Sequence, residues 1–479
     1  MIAIVPASVF FIQIPKYTTI CLCVVFVLTF LLCLKTTVRN AWGRVLLSVF
    51  SLFALAFSVL GNYCNPYWNS INFKNIHFMV SASSKPADTM MTEKDALKDL
   101  EYAMYYLTKL HPAFYRQTPP EVQRRYETVH ADLKHMEQIS VCELARKIEY
   151  IFSVLRDGHT YVKLQPKELH YRKDIDQLKR NHSSVTAVNG NELFDLLEQT
   201  NDLYSFEAPS WHLSLLKSDL SSLEGLQYLG FPPEEEITFT YESEDGKKTD
   251  YTYDAKDFLT YEEYAAYNQF DAINEDEESF VSYELDKEHQ LAILSLDSCY
   301  YNKDYKACVR EMFAKVKEQG IRHVAVDLRY NGGGDSRVAN EFIRYLDVDT
   351  WKEGGCEWRF GWFKLPFPSS TIKNDKYDDL TFDGQVYILT SSNSFSSAML
   401  FAQYIKDNHM GTLIGEAPGN TPNGYGDIAM FRLPHSQLFM QISTKEFFRI
   451  NTDNPAELVE PDLSCKSEDA VEVLYENIR

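Results

Sequence analysis

Positive charge is scarce in this sequence. Its 479 residues contain 47 Lys and Arg against 68 Asp and Glu, which gives a formal net charge of -21 at pH 7. Nucleic acids and anionic lipid surfaces attract basic patches, so this balance argues against both as partners. The acidic clusters at 234–236 and 275–278 are typical of solvated loops.

Motifs for metals and for phosphates are missing as well. The nine cysteines include no Cys-x-x-Cys pair, and the twelve histidines include no His-Glu-x-x-His motif. The glycine run Gly332-Gly333-Gly334 is not followed by the Gly-Lys-Ser/Thr of a phosphate-binding loop. The sequence therefore predicts neither a bound metal nor a cofactor.

Charged residues are also nearly absent from two stretches near the N-terminus, 18–34 and 45–63. Each is about as long as the shortest bilayer-spanning helices, which predicts a membrane hairpin within residues 1–63. A cleaved signal peptide or buried core helices are the alternatives. Lys35, Arg39 and Arg44 lie in the connection, which the positive-inside rule places in the cytoplasm. We therefore expect a multi-pass protein of the cell membrane, with two spanning helices and an extracytoplasmic soluble portion.

The rest of the chain divides by its hydrophobic pattern. Residues 64–91 are typical of a linker, and 92–170 predict a helical subdomain with helices over 97–111, 121–136 and 142–155. Thr92 resembles an N-cap for the first of these helices. Residues 171–278 predict a small β-rich insert, because 237–253 alternates around Asp245-Gly246 as a hairpin does.

Strands and helices alternate through the last part of the chain, residues 279–479. Strands are expected at 291–296, 323–328, 385–389 and 412–414, with helices over 305–319, 336–345 and 396–408. This alternation of strands and helices predicts an α/β core.

Three segments carry the groups that a nucleophilic hydrolase requires. Asp157-Gly158-His159-Thr160 supplies a histidine, and Ser394-Phe395-Ser396-Ser397-Ala398 joins an apolar strand to a helix. Between them, 324–334 changes from a buried strand into glycines whose N–H groups suit an oxyanion. A serine hydroxyl needs a nearby base, and an imidazole that titrates near neutrality suits that role.

Each segment has a simpler interpretation when it is taken separately. The serines suit helix N-capping, the histidine a surface or core position, and the glycines a tight turn. Asp157 suits the capping of a turn more than the orienting of the histidine. Asp327 and Arg329 are expected to fix the glycine turn through a local ion pair without taking part in bond making. The joint presence of the three segments favours the hydrolase.

Together these segments resemble the tail-specific (C-terminal processing) serine proteases. The resemblance rests on VAVDLRYNGGG, VYILTSSNSFSSAMLFAQYI, Leu413-Ile414-Gly415-Glu416, Glu460-Pro461-Asp462, and Leu110-His111-Pro112 with the DGHT segment. It covers about residue 92 to the C-terminus and is closer to the branch that includes the tricorn protease core than to the Ser/Lys branch. It implies a ClpP/crotonase-like core, a small PDZ-like insert and the hydrolysis of peptide bonds in polypeptides.

By motif position, the resemblance implies Ser396 as the nucleophile and His159 as the general base. The backbone N–H groups of Ser397 and of Gly333 or Gly334 would form the oxyanion hole. Where the Ser/Lys branch carries its lysine, this chain has Thr421, which disfavours a serine–lysine mechanism.

Two features depart from the tricorn-like branch. That branch has a serine immediately before the histidine, where this chain has Gly158. No acid that orients His159 can be placed by motif, and Glu457 and Glu460 are the candidates.

The leading hypothesis is a membrane-anchored serine peptidase that acts through an acyl-enzyme on Ser396. The alternative is a catalytically inactive family member that binds or scaffolds peptides, which Gly158 and the unplaced acid motivate. A crotonase-like acyl-transfer enzyme is a weaker third hypothesis, because that fold also uses backbone oxyanion holes.

Overall fold

The computed structural model describes residues 83–173, 184–232, 235–243, 245–268, 279–450 and 456–478, together with isolated residues between Val24 and Ile71. Most of the two apolar runs, 18–34 and 45–63, and most of the predicted linker lie outside these described residues.

The predicted membrane hairpin is contradicted. Crossing the hydrocarbon layer takes about 20 consecutive apolar residues in a helix. Among the residues that the structure describes, no helix has both the length and the apolar character to do this. The predictions of a two-helix hairpin and of a multi-pass membrane location are therefore wrong.

The first described region is helical. Its elements are β1 (Met90–Thr92), α1 (Glu93–Leu110), α2 (Pro120–Lys134), β2 (Gln138–Ser140), α3 (Val141–Phe152) and β3 (Tyr161–Lys163), with short 3-10 turns at Pro112–Phe114 and Ser153–Leu155. Thr92 caps α1 as expected, since its side chain accepts a hydrogen bond from the Asp95 N–H at 3.3 Å. The buried stripe of α1, which includes Leu100 and Leu107, packs with α2 and α3 into one hydrophobic core.

The next region contains both strands and helices. Its elements are β4 (Tyr171–Arg172), β5 (Ser184–Val188), β6 (Asn191–Glu192), α4 (Leu193–Thr200), α5 (Pro209–Asp219), α6 (Leu223–Leu229), β7 (Ile237–Glu242), β8 (Lys248–Tyr253), β9 (Phe258–Leu259) and α7 (Tyr261–Tyr267), with a 3-10 turn at Ala255–Asp257. The predicted hairpin is present as β7 and β8, in a four-stranded sheet of order β6-β5-β7-β8. Four helices make this insert less β-rich than predicted.

The last region is the expected α/β core. Its elements are β10 (Val281–Asp286), β11 (Leu291–Leu296), α8 (Lys303–Gln319), β12 (His323–Asp327), α9 (Arg337–Ile343), β13 (Thr350–Glu353), β14 (Cys356–Phe360), β15 (Phe363–Phe367), β16 (Ser370–Lys373), β17 (Gln385–Thr390), α10 (Ser397–Asp407), β18 (Thr412–Gly415), β19 (Gly424–Arg432), β20 (Phe439–Phe447), β21 (Leu463–Ser464) and α11 (Ala470–Asn477), with a 3-10 turn at Ser467–Asp469.

A six-stranded sheet of order β10-β11-β12-β17-β18-β21 forms the centre of this core. The strands from β11 onward are parallel to one another, and β10 is antiparallel to β11. Helices α8, α9 and α10 cover one face, where Val326 and Ile388 are fully buried. Helix α11 covers the other face, against Ala325 and Leu389. Burial on both faces explains why these strands are continuously apolar in sequence.

A second sheet, of order β15-β14-β20-β19, lies beside the first, and β3 pairs with β20. This pairing joins the helical region to the core through Tyr161–Lys163 and Phe439–Gln441. In the central sheet, Asp327 at the end of β12 is in register with Leu389 at the end of β17. The loops that follow these two strands therefore meet at the carboxyl edge of the sheet, where open α/β folds place their ligand sites.

Candidate active site

Ser396 has an unusual backbone conformation. It lies between β17 and α10 with φ 55° and ψ -119°, and it is the N-cap residue of α10 without a side-chain capping hydrogen bond. Its N–H donates to Asn420 Oδ1 at 2.7 Å, and the Phe395 N–H donates to the Asn331 carbonyl oxygen at 3.0 Å. Strained backbone of this kind costs about 1–3 kcal/mol and persists only where the surroundings hold it.

The neighbouring serines have structural partners. Ser394 Oγ donates to the Leu328 carbonyl at 2.7 Å and accepts from the Ser391 N–H at 3.0 Å. Ser397 Oγ donates to the Gly334 carbonyl at 2.8 Å. These hydroxyl groups bind the serine turn, residues 394–397, to the loop after β12 that contains the glycine turn, residues 332–334. Ser396 lines a cavity of about 690 Å³.

The glycine turn approaches Ser396 closely. A Cβ atom on Gly333 would lie 2.7 Å from Ser396 Cβ and 3.0 Å from the Ser397 nitrogen, so no larger residue fits. The Gly333 N–H is already engaged, since it donates to Asn331 Oδ1 at 2.8 Å. In the described part of the chain, the N–H groups of Gly334 and Ser397 donate to no protein atom.

His159 lines the same cavity as Ser396. Its ring lies 4.6 Å from the Phe395 ring, between centroids, and its carbonyl oxygen accepts from Gln441 Nε2 at 3.0 Å. The next residue, Thr160, accepts through Oγ1 from the Ser443 N–H at 2.9 Å. Strand β20 thus holds residues 157–160, and the His159 ring contacts Phe395 of the serine turn. The two predicted segments therefore lie side by side.

Asp157 is fully buried between two histidines. His111 Nδ1 accepts from the Ala113 N–H at 3.2 Å, which leaves Nε2 to donate to Asp157 Oδ2 at 3.1 Å. The other oxygen, Oδ1, accepts from the His159 N–H at 2.9 Å and lies 3.6 Å from His159 Nδ1. Burial raises the pKa of Asp157, but its hydrogen bond with His111 and its contact with His159 outweigh burial and hold that pKa well below the ordinary value.

The imidazole of His159 has carboxylates around it. Burial lowers its pKa, but the charges of Asp157, Glu207 and Asp427 outweigh burial, so its pKa lies above the ordinary value. At 3.6 Å the contact with Asp157 is too long for a hydrogen bond and acts through charge. Both ring nitrogens are buried, and among the described residues neither has a hydrogen-bond partner.

Glu207 is the member of the site that the sequence did not reveal. Its Oε2 accepts from the Gly158 N–H at 3.1 Å, and the hydroxyl of the nearby Ser205 accepts from the Asp157 N–H at 3.0 Å. Burial, together with the charge of Asp157, raises the pKa of Glu207 to about 7. A Cβ atom on Gly158 would lie 3.0 Å from Glu207 Oε2 and 2.9 Å from Phe395 Cζ, which explains the glycine there. No motif surrounds Glu207 in the sequence.

Other predicted residues lie outside the cavity. Glu457 and Glu460, the candidate orienting acids, are both exposed and do not line it, whereas Thr421 does. Asp327 and Arg329 form the expected ion pair, with 2.7 Å between Oδ2 and Nη2.

Known structures share the fold of this chain. A point mutant of CPAF has a similar structure, with a TM-score of 0.58 and 11% identity over 80% of this chain and 95% of that chain. Mature CPAF complexed with lactacystin gives a TM-score of 0.55, also with 11% identity, over 80% of this chain and 96% of that chain. Tricorn protease is a more distant likeness, with a TM-score of 0.37 and 13% identity over 81% of this chain and 37% of that chain. No curated protein sequence matches the chain.

The CPAF likenesses establish a shared fold, and the proximity to the tricorn-like branch stays a prediction. The family itself comes from a direct sequence match, because residues 290–465 match Peptidase family S41. That segment contains the glycine turn, Ser396 and Asn420. The chain therefore carries a peptidase family S41 domain and is a serine-type peptidase.

Proposed function

We propose that Ser396 is the nucleophile of this peptidase and that His159 is its general base. The observation that carries the proposal is that Ser396 and His159 line the same cavity. Ser396 has a strained backbone and its hydroxyl makes no capping hydrogen bond, and the buried ring nitrogens of His159 have no partner among the described residues. A serine on a tight strand-to-helix turn presents its hydroxyl at the edge of the sheet, and an adjacent imidazole can take its proton.

The reaction follows from these positions. Ser396 Oγ attacks the carbonyl carbon of a polypeptide while its proton passes to His159, and His159 then gives that proton to the departing amine. A water molecule then attacks the resulting ester while His159 takes its proton, and His159 returns that proton to Ser396 Oγ as the ester bond breaks. Asp157 orients the base and stabilises the imidazolium, because its negative charge lies on the Nδ1 side of the ring.

The oxyanion of each tetrahedral intermediate would bind to the N–H groups of Ser397 and Gly334. Ser397 N–H is the first of α10, where the helix dipole adds to its donor strength. Gly334 is the better second donor, because Asn331 already engages the Gly333 N–H. Each such donor is worth roughly 3 kcal/mol of transition-state stabilisation.

A fluorophosphonate probe tests the nucleophile. The full chain should react with the probe, and Ser396→Ala should abolish the reaction. Ser336→Ala is the matched control, because Ser336 lines the same cavity with an ordinary backbone conformation, and it should label like the wild type. Labelling that survives Ser396→Ala would assign the nucleophile to another residue.

Peptide hydrolysis tests the base. His159→Ala should lower kcat/KM by at least about 1,000-fold, because a serine without its base is a poor nucleophile. A variant that retains wild-type hydrolysis would remove His159 from the mechanism and favour a binding role for this site.

A further inference from the structure

Three ligand groups lie together beside the proposed catalytic histidine. The carboxylates of Asp157 and Glu207 and the imidazole of His159 each offer one ligand atom, and these three atoms lie within 4.8 Å of one another. Asp157 is fully buried and His159 is 7% exposed. The cluster lies at the wall of the cavity, which His159 and Gly158 line.

Several of these atoms lack a partner. Glu207 Oε1 and both ring nitrogens of His159 are buried, and in the described ranges none of them makes a hydrogen bond. No Lys or Arg within those ranges forms an ion pair with Asp157 or Glu207. Peptide hydrolysis as proposed above uses His159 and the charge of Asp157, which leaves Glu207 Oε1 without a role. Buried polar atoms without protein partners are rare, and a bound cation is one way to satisfy them.

The remaining hydrogen bonds hold the cluster in a fixed arrangement. His111 donates to Asp157 Oδ2, and the Gly158 N–H donates to Glu207 Oε2. Asp157 Oδ1 also accepts from the His159 N–H at 2.9 Å and lies 3.6 Å from His159 Nδ1. Asp157 is thus held through both oxygens and Glu207 through Oε2. Metal-binding carboxylates are commonly anchored in this way by a second layer of donors.

The separation between two of the ligand atoms suits a small tetrahedral cation. Ligand atoms that lie 2.0–2.2 Å from a zinc ion are roughly 3.3–3.6 Å apart, and His159 Nδ1 lies 3.6 Å from Asp157 Oδ1. One nitrogen and two carboxylate oxygens match zinc, whereas calcium and magnesium prefer all-oxygen sites with higher coordination numbers. Three protein ligands would leave a fourth coordination position for a water molecule.

We propose that Asp157, His159 and Glu207 form a binding site for zinc, or for a divalent ion of similar chemistry, and that the ion switches the peptidase off. A metal on Nδ1 uses that lone pair, and the proton of the neutral imidazole then lies on Nε2. No lone pair remains to accept the Ser396 proton, so zinc-bound His159 cannot act as a base. The binding site stands without the proposed function, whereas the inhibition rests on it.

Zinc titration of the full chain tests the binding site directly. Isothermal titration calorimetry with ZnCl2 should give one ion per wild-type chain, and the same result in Ser396→Ala, whose cluster is intact. Glu207→Gln should weaken the affinity at least tenfold, because a neutral amide replaces an anionic ligand while its oxygen can still accept from Gly158. His159→Gln provides a second ligand variant, and circular dichroism verifies that both variants fold.

Glu224→Gln is the matched control. Glu224 Oε1 contacts His170 Nδ1 at 2.6 Å. The two residues form another histidine–carboxylate pair, which is partly exposed and shares no residue with the cluster. It should bind zinc like the wild type. Absence of stoichiometric binding to the wild type, or equal affinity in Glu207→Gln, would overturn the site.

Peptide hydrolysis separates the switch from the site. Wild-type chain treated with EDTA should cleave peptide, saturation with zinc should abolish cleavage, and renewed EDTA should restore it. Unchanged cleavage at saturating zinc would overturn the switch. A chain that binds zinc at this cluster but never cleaves peptide would refute the proposed function and leave the zinc site standing.

Discussion

Ser396 carries the hydroxyl group that the proposed reaction requires, but its backbone has a conformation that favours glycine. Its φ of 55° is one that residues with a Cβ atom rarely adopt. Asn420 and Asn331 hold it there through hydrogen bonds to the N–H groups of Ser396 and Phe395. A residue selected only for stability at this position would be glycine, so the retained serine is evidence that its hydroxyl has a role.

Because of this strain, we expect glycine to be more stable than alanine at position 396, the reverse of the usual order in a helix. Ser396→Gly should be more stable than Ser396→Ala by about 1 kcal/mol, because glycine relieves the strain whereas alanine keeps it. Urea denaturation of the two variants measures the difference. At Ser336, where φ is -62°, the same pair of substitutions should show the usual order, with alanine at least as stable as glycine. A more stable Ser396→Ala would show that the turn is not strained.

The sequence could predict some site residues and not others for a clear reason. Ser396 and His159 stand in segments with recognisable local patterns, a strand-to-helix turn and the end of a helical region. Glu207 lies in an irregular segment before α5, and only the three-dimensional contact with Gly158 brings it to the site. From the sequence, Asp157 suits the capping of a turn, and Glu457 and Glu460 are the candidate orienting acids. In the structure Asp157 Oδ1 lies 3.6 Å from His159 Nδ1, a contact that turn chemistry alone does not predict.

Among the secondary-structure elements, those of the parallel core were predictable from local patterns, because its strands are short apolar runs and its helices carry apolar residues at helical spacing. The expected strand over 291–296 matches β11, and the expected helices over 305–319 and 396–408 differ from α8 and α10 by one or two residues at their ends. Strands β13 to β16 and the long pair β19 and β20 were not predicted. Strand β14 pairs with β20, far along the chain, and no local pattern encodes such a contact.

Asp99 joins helix α1 to a loop far along the chain through a single side chain. This residue lies on α1, is fully buried, and accepts from the N–H groups of His435 and Ser436 at 2.9 and 2.7 Å. His435 and Ser436 belong to the loop between β19 and β20, so Asp99 fastens this loop to the helical region.

Removal of this carboxylate should destabilise the chain. Asp99→Ala leaves one buried and one partly buried N–H group without an acceptor, and we expect a loss of roughly 2–4 kcal/mol in the free energy of unfolding. Asp99→Asn keeps one good acceptor and should lose less. Glu101→Ala, an exposed change on the same helix, serves as the control for helix propensity and should change stability by less than about 0.5 kcal/mol. Urea denaturation measures all three, and a neutral Asp99→Ala would show that water satisfies the loop.

At the scale of the whole molecule, the site depends on all three regions. His159 comes from the helical region, Glu207 from the insert and Ser396 from the α/β core. The sequence predicted these regions as parts of an α/β protein but could not predict how the insert meets the helical region, because residues far apart along the chain make that contact. Tyr204 and Tyr228 of the insert pack into the hydrophobic core of the helical region. A second cavity lies there, of about 350 Å³, lined by Glu149, Lys163 and Asp219 among others.

Asp219 makes the stability of the whole chain depend on pH. Burial raises its pKa to about 6, although hydrogen bonding from Tyr204, whose hydroxyl donates to Oδ2 at 2.5 Å, opposes the shift. Below pH 3.8, the ordinary value, the carboxyl group is protonated in both the folded and the unfolded chain. Between pH 3.8 and about 6 the unfolded chain releases this proton and the folded chain retains it, so this group lowers stability as the pH rises. Above about pH 6 the penalty is constant.

Asp219→Asn should remove this penalty. Because two pKa units correspond to roughly 3 kcal/mol, and partial exposure reduces the effect, we expect the variant to gain roughly 1–3 kcal/mol relative to wild type between pH 3 and pH 7. The measurement is the difference in free energy of unfolding between the two proteins, from urea denaturation at several pH values. Asp195→Asn, an exposed change in the same insert, is the control for the loss of one acidic side chain. A gain in Asp219→Asn that is equal at pH 3 and pH 7 would show that the carboxyl group has the same pKa in both states, since only a differential proton affinity makes the difference pH-dependent.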